Sequence, residues 1–236
     1  MAVSMFKSKK FGAFIFFAFI FTLSAAKIHA QEEEGGGFYI EQPRVFYGGL
    51  VIGANFTQVD GDDYAGYHKI GLNVGGIVYA QLKKHLALSL EILYSQKGSK
   101  SSSADPTRAA IINGTTYYTT NYGIDINYAE IPLMINYFDK RKSHAGVGLS
   151  YSRLVSSTEN LVTYPSPPPV DLTKYPFKPG GLDAIAGVQL HIIKGLFLNV
   201  RFQYSVVPIR TSLPPYFARA TQYNNMYVVR LMYLFI

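Results

Sequence analysis

The sequence contains no cysteine, and only 16% of its 236 residues are charged. The lack of cysteine excludes a disulfide framework and a lipid-modified N-terminal cysteine. Soluble domains carry roughly 25% charged residues, so charge is scarce in this chain. The formal net charge is +7, but Lys7, Lys9, Lys10 and Lys27 lie within the first 30 residues, which contain no acid. The basic balance therefore comes mainly from an N-terminal targeting segment and does not indicate nucleic-acid binding.

A long apolar run occurs only near the N-terminus. The segment "FGAFIFFAFIFTLSAA" follows the basic cluster "KSKK" and precedes small residues that end at Ala30. This order is typical of a secretory signal peptide. We therefore predict a signal peptide over residues 1–30, with cleavage after Ala26 as the alternative, and a periplasmic N-terminal segment over 31–44. The run is shorter than the roughly 20 residues of a membrane-spanning helix, and no later segment approaches that length.

The rest of the chain alternates between apolar and polar or small residues over about ten residues at a time, which predicts β-strands. In "LFLNVRFQY" (196–204), for example, the leucines, valine, Phe202 and Tyr204 occupy one face, and Asn199, Arg201 and Gln203 the other. The other predicted strands are "GGLVIGANFT", "KIGLNVGGIVYAQL", "HLALSLEILY", "IDINYAEIPLMINYF", "HAGVGLSYS", "GLDAIAGVQLHII" and "MYVVRLMYLFI". In "IDINYAEIPLMINYF" the alternation changes phase, which predicts a bulge near Ala129 and Glu130.

The connections between these eight strands alternate strictly in length. The short ones are 83–85, 139–143 and 194–195, and the long ones are 58–68, 98–122, 156–180 and 208–222. Tight periplasmic turns and long external loops are typical of transmembrane β-barrels. Because hydrocarbon offers no hydrogen bonds to the backbone, only helices or closed barrels can span it. We therefore predict an all-β fold over residues 45–236, an eight-stranded antiparallel up-and-down transmembrane β-barrel in the outer membrane.

The apolar face of each predicted strand should contact lipid. Tyrosines near strand ends should form an aromatic belt at the membrane interface; they include Tyr94, Tyr128, Tyr204 and Tyr227. The last strand, from Tyr227 to Phe235, should pair with the first and close the barrel, with Arg230 facing inward. Outer-membrane lipid is therefore the first partner that the pattern predicts.

The opposite face of the strands carries charged and amide side chains. The charged ones are Glu91, Glu130, Arg201 and Arg230; the others include Asn73, Gln81, Gln189, His191, Asn199 and Gln203. Buried charges are costly unless they are paired and hydrogen-bonded, and the lumen of an eight-stranded barrel is just wide enough to be filled by side chains. We therefore predict that the four charged residues form an ion network that fills the lumen. A proton or ion relay is the alternative role.

Residues suited to catalysis or to cofactor binding do not come together in the sequence. The histidines outside the predicted signal peptide lie on four different strand ends or turns: His68, His85, His144 and His191. The segment "DGDD" (60–63) has Tyr64 where a calcium loop requires an oxygen ligand. No serine and histidine approach each other on the predicted strands. The sequence therefore predicts a non-enzymatic protein with no catalytic, metal or cofactor site.

The long loops are the best candidate for a functional surface. The segments 115–122 and 162–180 are rich in tyrosine and poor in acids, a composition suited to contacts with proteins or glycans. A structural or interaction role through these loops is therefore the leading function. The alternatives are a small porin or transporter, and a soluble lipocalin-like barrel with apolar residues inside and polar residues outside.

Several motifs resemble those of the PorT-like outer-membrane β-barrel family. "EILYSQKG" (91–98) and "YAEIPLMINYF" (128–138) match its Glu-x-x-Tyr-Ser-Gln-x-Gly and Tyr-x-x-Ile-Pro-Leu strands in the same order. "GVGLSY" (146–151) and "GLVIGANFT" (49–57) also fit. The resemblance covers residues 45–236 and implies an outer-membrane barrel. For some relatives it also implies a role near a type IX secretion and gliding apparatus, and it brings no catalytic residues.

Overall fold

The strands of the chain form a closed ring. The computed structural model describes residues 45–235 except 65, 103–104, 106, 167, 169 and 213–220, so the predicted signal peptide and periplasmic segment lie outside the described residues. The strands are β1 (Phe46–Asp60), β2 (Lys69–Lys83), β3 (Leu86–Lys100), β4 (Arg108–Ile112), β5 (Thr115–Phe138), β6 (His144–Tyr164), β7 (Gly180–Ile193), β8 (Leu196–Ser205) and β9 (Tyr223–Leu234).

Eight of these strands make the barrel, as predicted. Each pairs antiparallel with its neighbours, β3 pairs directly with β5, and β1 pairs with both β2 and β9. The ring therefore has no free edge. Among the described residues, no helix is long and apolar enough to cross a membrane; the short 3-10 helix Leu172–Lys174 lies between β6 and β7.

The two faces of the strands separate as the alternation predicts. Leu231 is 46% exposed on the outside, whereas its neighbour Arg230 is 2% exposed in the lumen. Apolar side chains of the other strands share the outward position of Leu231, among them Leu50, Ile92, Leu133, Leu149 and Leu190. The lipocalin-like alternative is wrong, because it requires the apolar row to point inward.

The short turns lie together at one end of the barrel, but the predicted long loops are partly strands. β4 pairs with the start of β5, and β6 continues to Tyr164. β4, residues 115–127 of β5 and residues 154–164 of β6 form what we call the outer sheet. These segments are rich in threonine, tyrosine and valine, which favour strands. They pair with one another, and residues 115–122 of β5 extend past the end of β3, beyond the barrel. The prediction of polar loops over 98–122 and 156–180 is wrong at these positions.

The predicted bulge near Ala129 and Glu130 is also wrong. The pairs Leu90–Leu133 and Leu93–Glu130 have the same register on either side of Pro132, so β5 continues without a break. The bulge lies instead in β6 at Val155, because Asn127 pairs with Ser156 and the next residue pairs with Leu154. It marks the point at which the outer sheet leaves the barrel, a common place for bulges.

The phase change in β5 has a different cause. Ile124, Ile126 and Tyr128 all face the lumen, where they pack in an apolar cluster. Tyr128 is only 1% exposed and so does not belong to the predicted aromatic belt. β5 is continuous, but its lumen-facing residues change from polar to apolar. In the sequence alone, this change cannot be distinguished from the phase change that a bulge would cause.

Candidate functional site

The middle of the lumen holds a cluster of one acid and two bases, which we call the positive cluster. Arg201 donates through Nη1 to Oε2 of Glu91 at 3.2 Å and through Nη2 to Oε1. Arg230 donates through Nη2 to both oxygens of Glu91, at 2.9 and 2.7 Å. All three side chains are buried. The carboxylate therefore accepts hydrogen bonds from both guanidinium groups, and the cluster carries an excess of one positive charge.

Amide side chains hold Arg230 in place. Its Nε donates to Oδ1 of Asn199 at 2.8 Å and its Nη1 donates to Oδ1 of Asn73 at 3.1 Å. Asn73 donates in turn to Asn55, which donates to Ser95 Oγ at 3.0 Å. Hydrogen bonds thus connect β8, β9, β2, β1 and β3 across the lumen. Such a fully buried network fixes the orientation of the Arg230 guanidinium and supplies acceptors for its N–H groups.

A second cluster, which we call the negative cluster, has the opposite composition. Nζ of Lys97 forms ion pairs with Glu130 and with Oδ2 of Asp183, the latter at 2.6 Å. Gln203 Nε2 donates to the same Asp183 oxygen at 2.7 Å, and Ser205 Oγ donates to Oδ1 at 2.8 Å. Two acids thus surround one base, and the cluster has an excess of one negative charge.

The two clusters compensate each other, because each has one unpaired charge of opposite sign. The four predicted lumen residues do not form a single network: three lie in the positive cluster, whereas Glu130 lies in the negative one. Lys97 and Asp183 are not among the predicted lumen residues. Both were detectable, since Lys97 has the same period-two phase as Glu91, and Asp183 has the same phase as Gln189.

Apolar clusters fill the lumen on both sides of the charged groups. At the short-turn end, Tyr79, Phe138 and Phe197 pack with Met232, and Tyr79 Oη lies 2.9 Å from His144 Nε2. At the opposite end, Val59, Ile124 and Ile126 pack with Phe177 and Ile209, which come from loops. The described part of the barrel is thus packed with side chains along its length.

Loops cover the outer mouth around a buried ion pair. Arg210, after β8, donates through Nη1 and Nη2 to Glu159 of β6 at 2.6 and 2.9 Å. Its Nη1 also donates to the carbonyl of Tyr175, and its guanidinium stacks over Phe177 at 4.4 Å. Burial by itself would lower the pKa of Arg210, but its hydrogen bonds to Glu159 raise the pKa above its ordinary value. This cation joins two loops to the barrel wall.

The carboxyl group of Asp62 is buried in the loop between β1 and β2. Asp62 is 1% exposed, and its Oδ1 accepts a hydrogen bond from the Tyr64 amide at 2.9 Å. Burial raises the pKa of Asp62 from 3.8 to about 6. Because the folded state holds this proton more tightly than the unfolded chain does, stability is gained as the pH falls through about 6 and is lost as the pH rises.

This shift leads to a prediction for Asp62→Asn. At pH 7 the wild-type carboxylate is charged and buried, so the neutral amide should increase the free energy of unfolding, by up to about 3 kcal/mol. At pH 4 the wild-type group is protonated in the folded state and the gain should nearly vanish. Urea titrations of the folded fraction at both pH values measure the difference. An equal gain at pH 4 and pH 7 would contradict the assignment.

The outer sheet exposes an apolar and aromatic face. Tyr118 of β5 pairs directly with Tyr164 of β6, and these side chains are 45% and 72% exposed. Ile111 of β4 and Val162 of β6 are also largely exposed. β5 has 24 residues, roughly twice the 9–11 residues that a tilted strand needs to cross the membrane. The outward positions of β5 are apolar from Ala129 to Tyr137 but polar before them, at Asp125 and Asn127. The apolar band therefore ends there, and the outer sheet stands in water.

Three of the four histidines lie close together at the short-turn end of the barrel. His144 stacks on Phe138, whose carbonyl oxygen lies 3.0 Å from His85 Nδ1. His144 and His191 both pack beside Phe197, whereas His68 is exposed at the end of the β1–β2 loop. Within the described ranges, no group of three or more potential ligands is placed to hold a metal ion.

Comparisons with known proteins place the chain in a family. No curated protein is a recognisable relative. Among solved structures, Ail of Yersinia pestis, solved with the heparin analogue sucrose octasulfate, is 10% identical with a TM-score of 0.41, covering 81% of this chain and 100% of Ail. OprG of Pseudomonas aeruginosa is 12% identical with a TM-score of 0.38, covering 80% and 94%. Residues 30–210 match the family described as outer membrane protein beta-barrel domain. The chain therefore belongs to this outer-membrane β-barrel family.

Proposed function

We propose that the protein is a non-enzymatic outer-membrane barrel that presents the outer sheet as a contact surface for proteins or glycans. The observation that carries this proposal is the exposed face around Tyr118 and Tyr164. Exposed aromatic side chains supply rigid contact area at a low entropic cost. The packed barrel beneath gives the sheet a stiff base, and loops on rigid scaffolds commonly carry binding.

A photo-crosslinking amino acid at Tyr118 or Tyr164 in intact cells tests this role. We expect adducts with a defined protein or glycan from both positions, because they lie on the same face of the outer sheet. The same amino acid at Leu133, which points to lipid on β5, is the matched control and should yield no such adduct. Identical products from all three positions, or none from the outer sheet, would contradict the proposal.

A small porin or transporter is the competing function. The lumen of the described residues is occupied by two ion clusters and two apolar clusters, which argues against a water-filled path. We therefore expect the purified protein to be electrically silent in planar bilayers. Ion conduction by the wild-type protein would favour the porin function instead.

A narrower proposal is association with a type IX secretion apparatus. It is supported only by the PorT-like motifs at residues 91–98 and 128–138. In the structure, these motifs supply Glu91, Lys97 and Glu130 to the lumen, and so their known contribution is to the packing of the barrel. Crosslinked adducts that contain components of such an apparatus would support the association, and adducts with unrelated partners would refute it.

A further inference from the structure

The charges of the protein are distributed unevenly along the barrel axis. Six basic residues occupy the three short turns, Lys83, Lys84, Lys140, Arg141, Lys142 and Lys194, against one acid, Asp139. At the opposite end, the described acidic and basic residues are equal in number, and in the lumen they also balance. The excess positive charge of the described chain is therefore concentrated at the short-turn end, which faces the periplasm in barrels of this class.

An apolar groove lies on the lipid-facing side of β5 to β9. Its volume is about 620 Å³, and it is shallow and open toward the lipid. The small side chains of Ala145 and Ala186 form its floor, Ile135 and Tyr137 one wall, and Phe202 and Tyr227 the other. In register, Tyr137 pairs with Ala145, and Ala186 pairs with Phe202. The groove therefore runs obliquely across the strands.

Two of the basic turns lie next to one end of this groove. Tyr137 comes three residues before Lys140, at the start of the β5–β6 turn. That turn is attached to β7, because the backbone N–H of His191 donates to Ser143 Oγ at 3.2 Å. Lys194 follows His191 by three residues, roughly 10 Å along the strand. Lys140 and Arg141 thus lie on the turn at the periplasmic end of the groove, and Lys194 lies on the neighbouring turn, one strand away.

We propose that this surface binds an anionic phospholipid of the periplasmic leaflet. One acyl chain would lie in the groove over Ala145 and Ala186, and the phosphate would contact Lys140, Arg141 and Lys194. The position of the cations along the membrane normal supports a phospholipid as the occupant. Each basic turn follows exposed apolar residues of its strand, such as Tyr137 and Ile193. Lysine and arginine at that depth lie level with lipid headgroups.

The test is native mass spectrometry of the full chain with equal amounts of phosphatidylglycerol and phosphatidylcholine. We expect preferential retention of phosphatidylglycerol, and a roughly 30-fold weaker affinity after Lys140→Gln with Arg141→Gln, given the attraction of each cation to an anionic surface. The matched control is Lys83→Gln with Lys84→Gln, which removes two charges from the turn between β2 and β3. The control should retain the lipid at wild-type level.

A second pair of variants tests the groove separately from the charge. Ala186→Leu fills the floor of the groove and should reduce retention of phosphatidylglycerol severalfold, whereas Ala54→Leu, an outward position on β1, should not. Equal losses from both pairs of charge variants would overturn the proposal in favour of diffuse attraction. Equal retention of phosphatidylcholine, an unchanged Ala186→Leu variant, or a protein dimer in place of the lipid would each overturn it as well.

Discussion

Replacement of Glu91 by glutamine is expected to lower the free energy of unfolding of the barrel by about 3–5 kcal/mol, the usual cost of breaking a buried ion pair from one side. Glu91 is the only carboxylate that accepts from both Arg201 and Arg230 in the described structure. Its loss leaves two buried guanidinium groups that cannot release their protons. The folded fraction that migrates as a compact band on unheated gels, followed against urea concentration, measures the change.

Two further variants make this expectation specific. Arg201→Gln should cost less than Glu91→Gln, because Glu91 and Arg230 remain paired and Arg230 retains its bonds to asparagine. Asp139→Asn, at an exposed turn, should stay within about 0.5 kcal/mol of the wild type. If all three variants had similar midpoints, the positive cluster would not be what stabilises the lumen.

Replacement of Lys97 by methionine should be about as destabilising at neutral pH as Glu91→Gln, but it leaves unpaired charges of the opposite sign. The change leaves Glu130 and Asp183 as two buried carboxylates without their shared cation. Like charges held close together disfavour the ionised forms. Protonation of one carboxylate removes the repulsion, so the variant should recover stability as the pH falls toward about 4.

The pH response separates the two clusters. Glu91→Gln should not recover in acid, because its unpaired groups are guanidinium ions, which remain charged at every accessible pH. Urea midpoints of both variants at pH 4 and pH 7 provide the comparison. Recovery of Glu91→Gln in acid, or failure of Lys97→Met to recover, would contradict the assignment of charges to the two clusters.

The charge balance of the lumen bears on the role of the barrel. The positive and negative clusters neutralise each other, and Arg210 neutralises Glu159 beneath the outer loops. A neutral, packed interior offers ions neither a net field nor an obvious path. The remaining features, the outer sheet and the basic turns, lie at the two ends, where the barrel contacts water and headgroups.

Outside residues 124–128 of β5, the sequence by itself determined which residues face lipid and which face the lumen. Side chains alternate across a strand, so Leu231 and Arg230 could be assigned to opposite faces without knowledge of any contact. The short turns at 139–143 and 194–195 could also be predicted from the local sequence, because a tight connection between two strands leaves the backbone little conformational freedom. The strand number and the closed architecture followed from these two patterns.

Only the tertiary structure decided which charges meet. Glu91 and Arg230 are 139 residues apart, and Lys97 and Asp183 are 86 apart, so their pairing depends on barrel closure and register. The same holds for Arg210, which reaches Glu159 across 51 residues. In β5, alternation alone placed Tyr128 at the membrane surface, because the pattern distinguishes two faces but not a polar lumen from an apolar one. Position along the strand is local information, whereas a partner across the lumen exists only once the ring has closed.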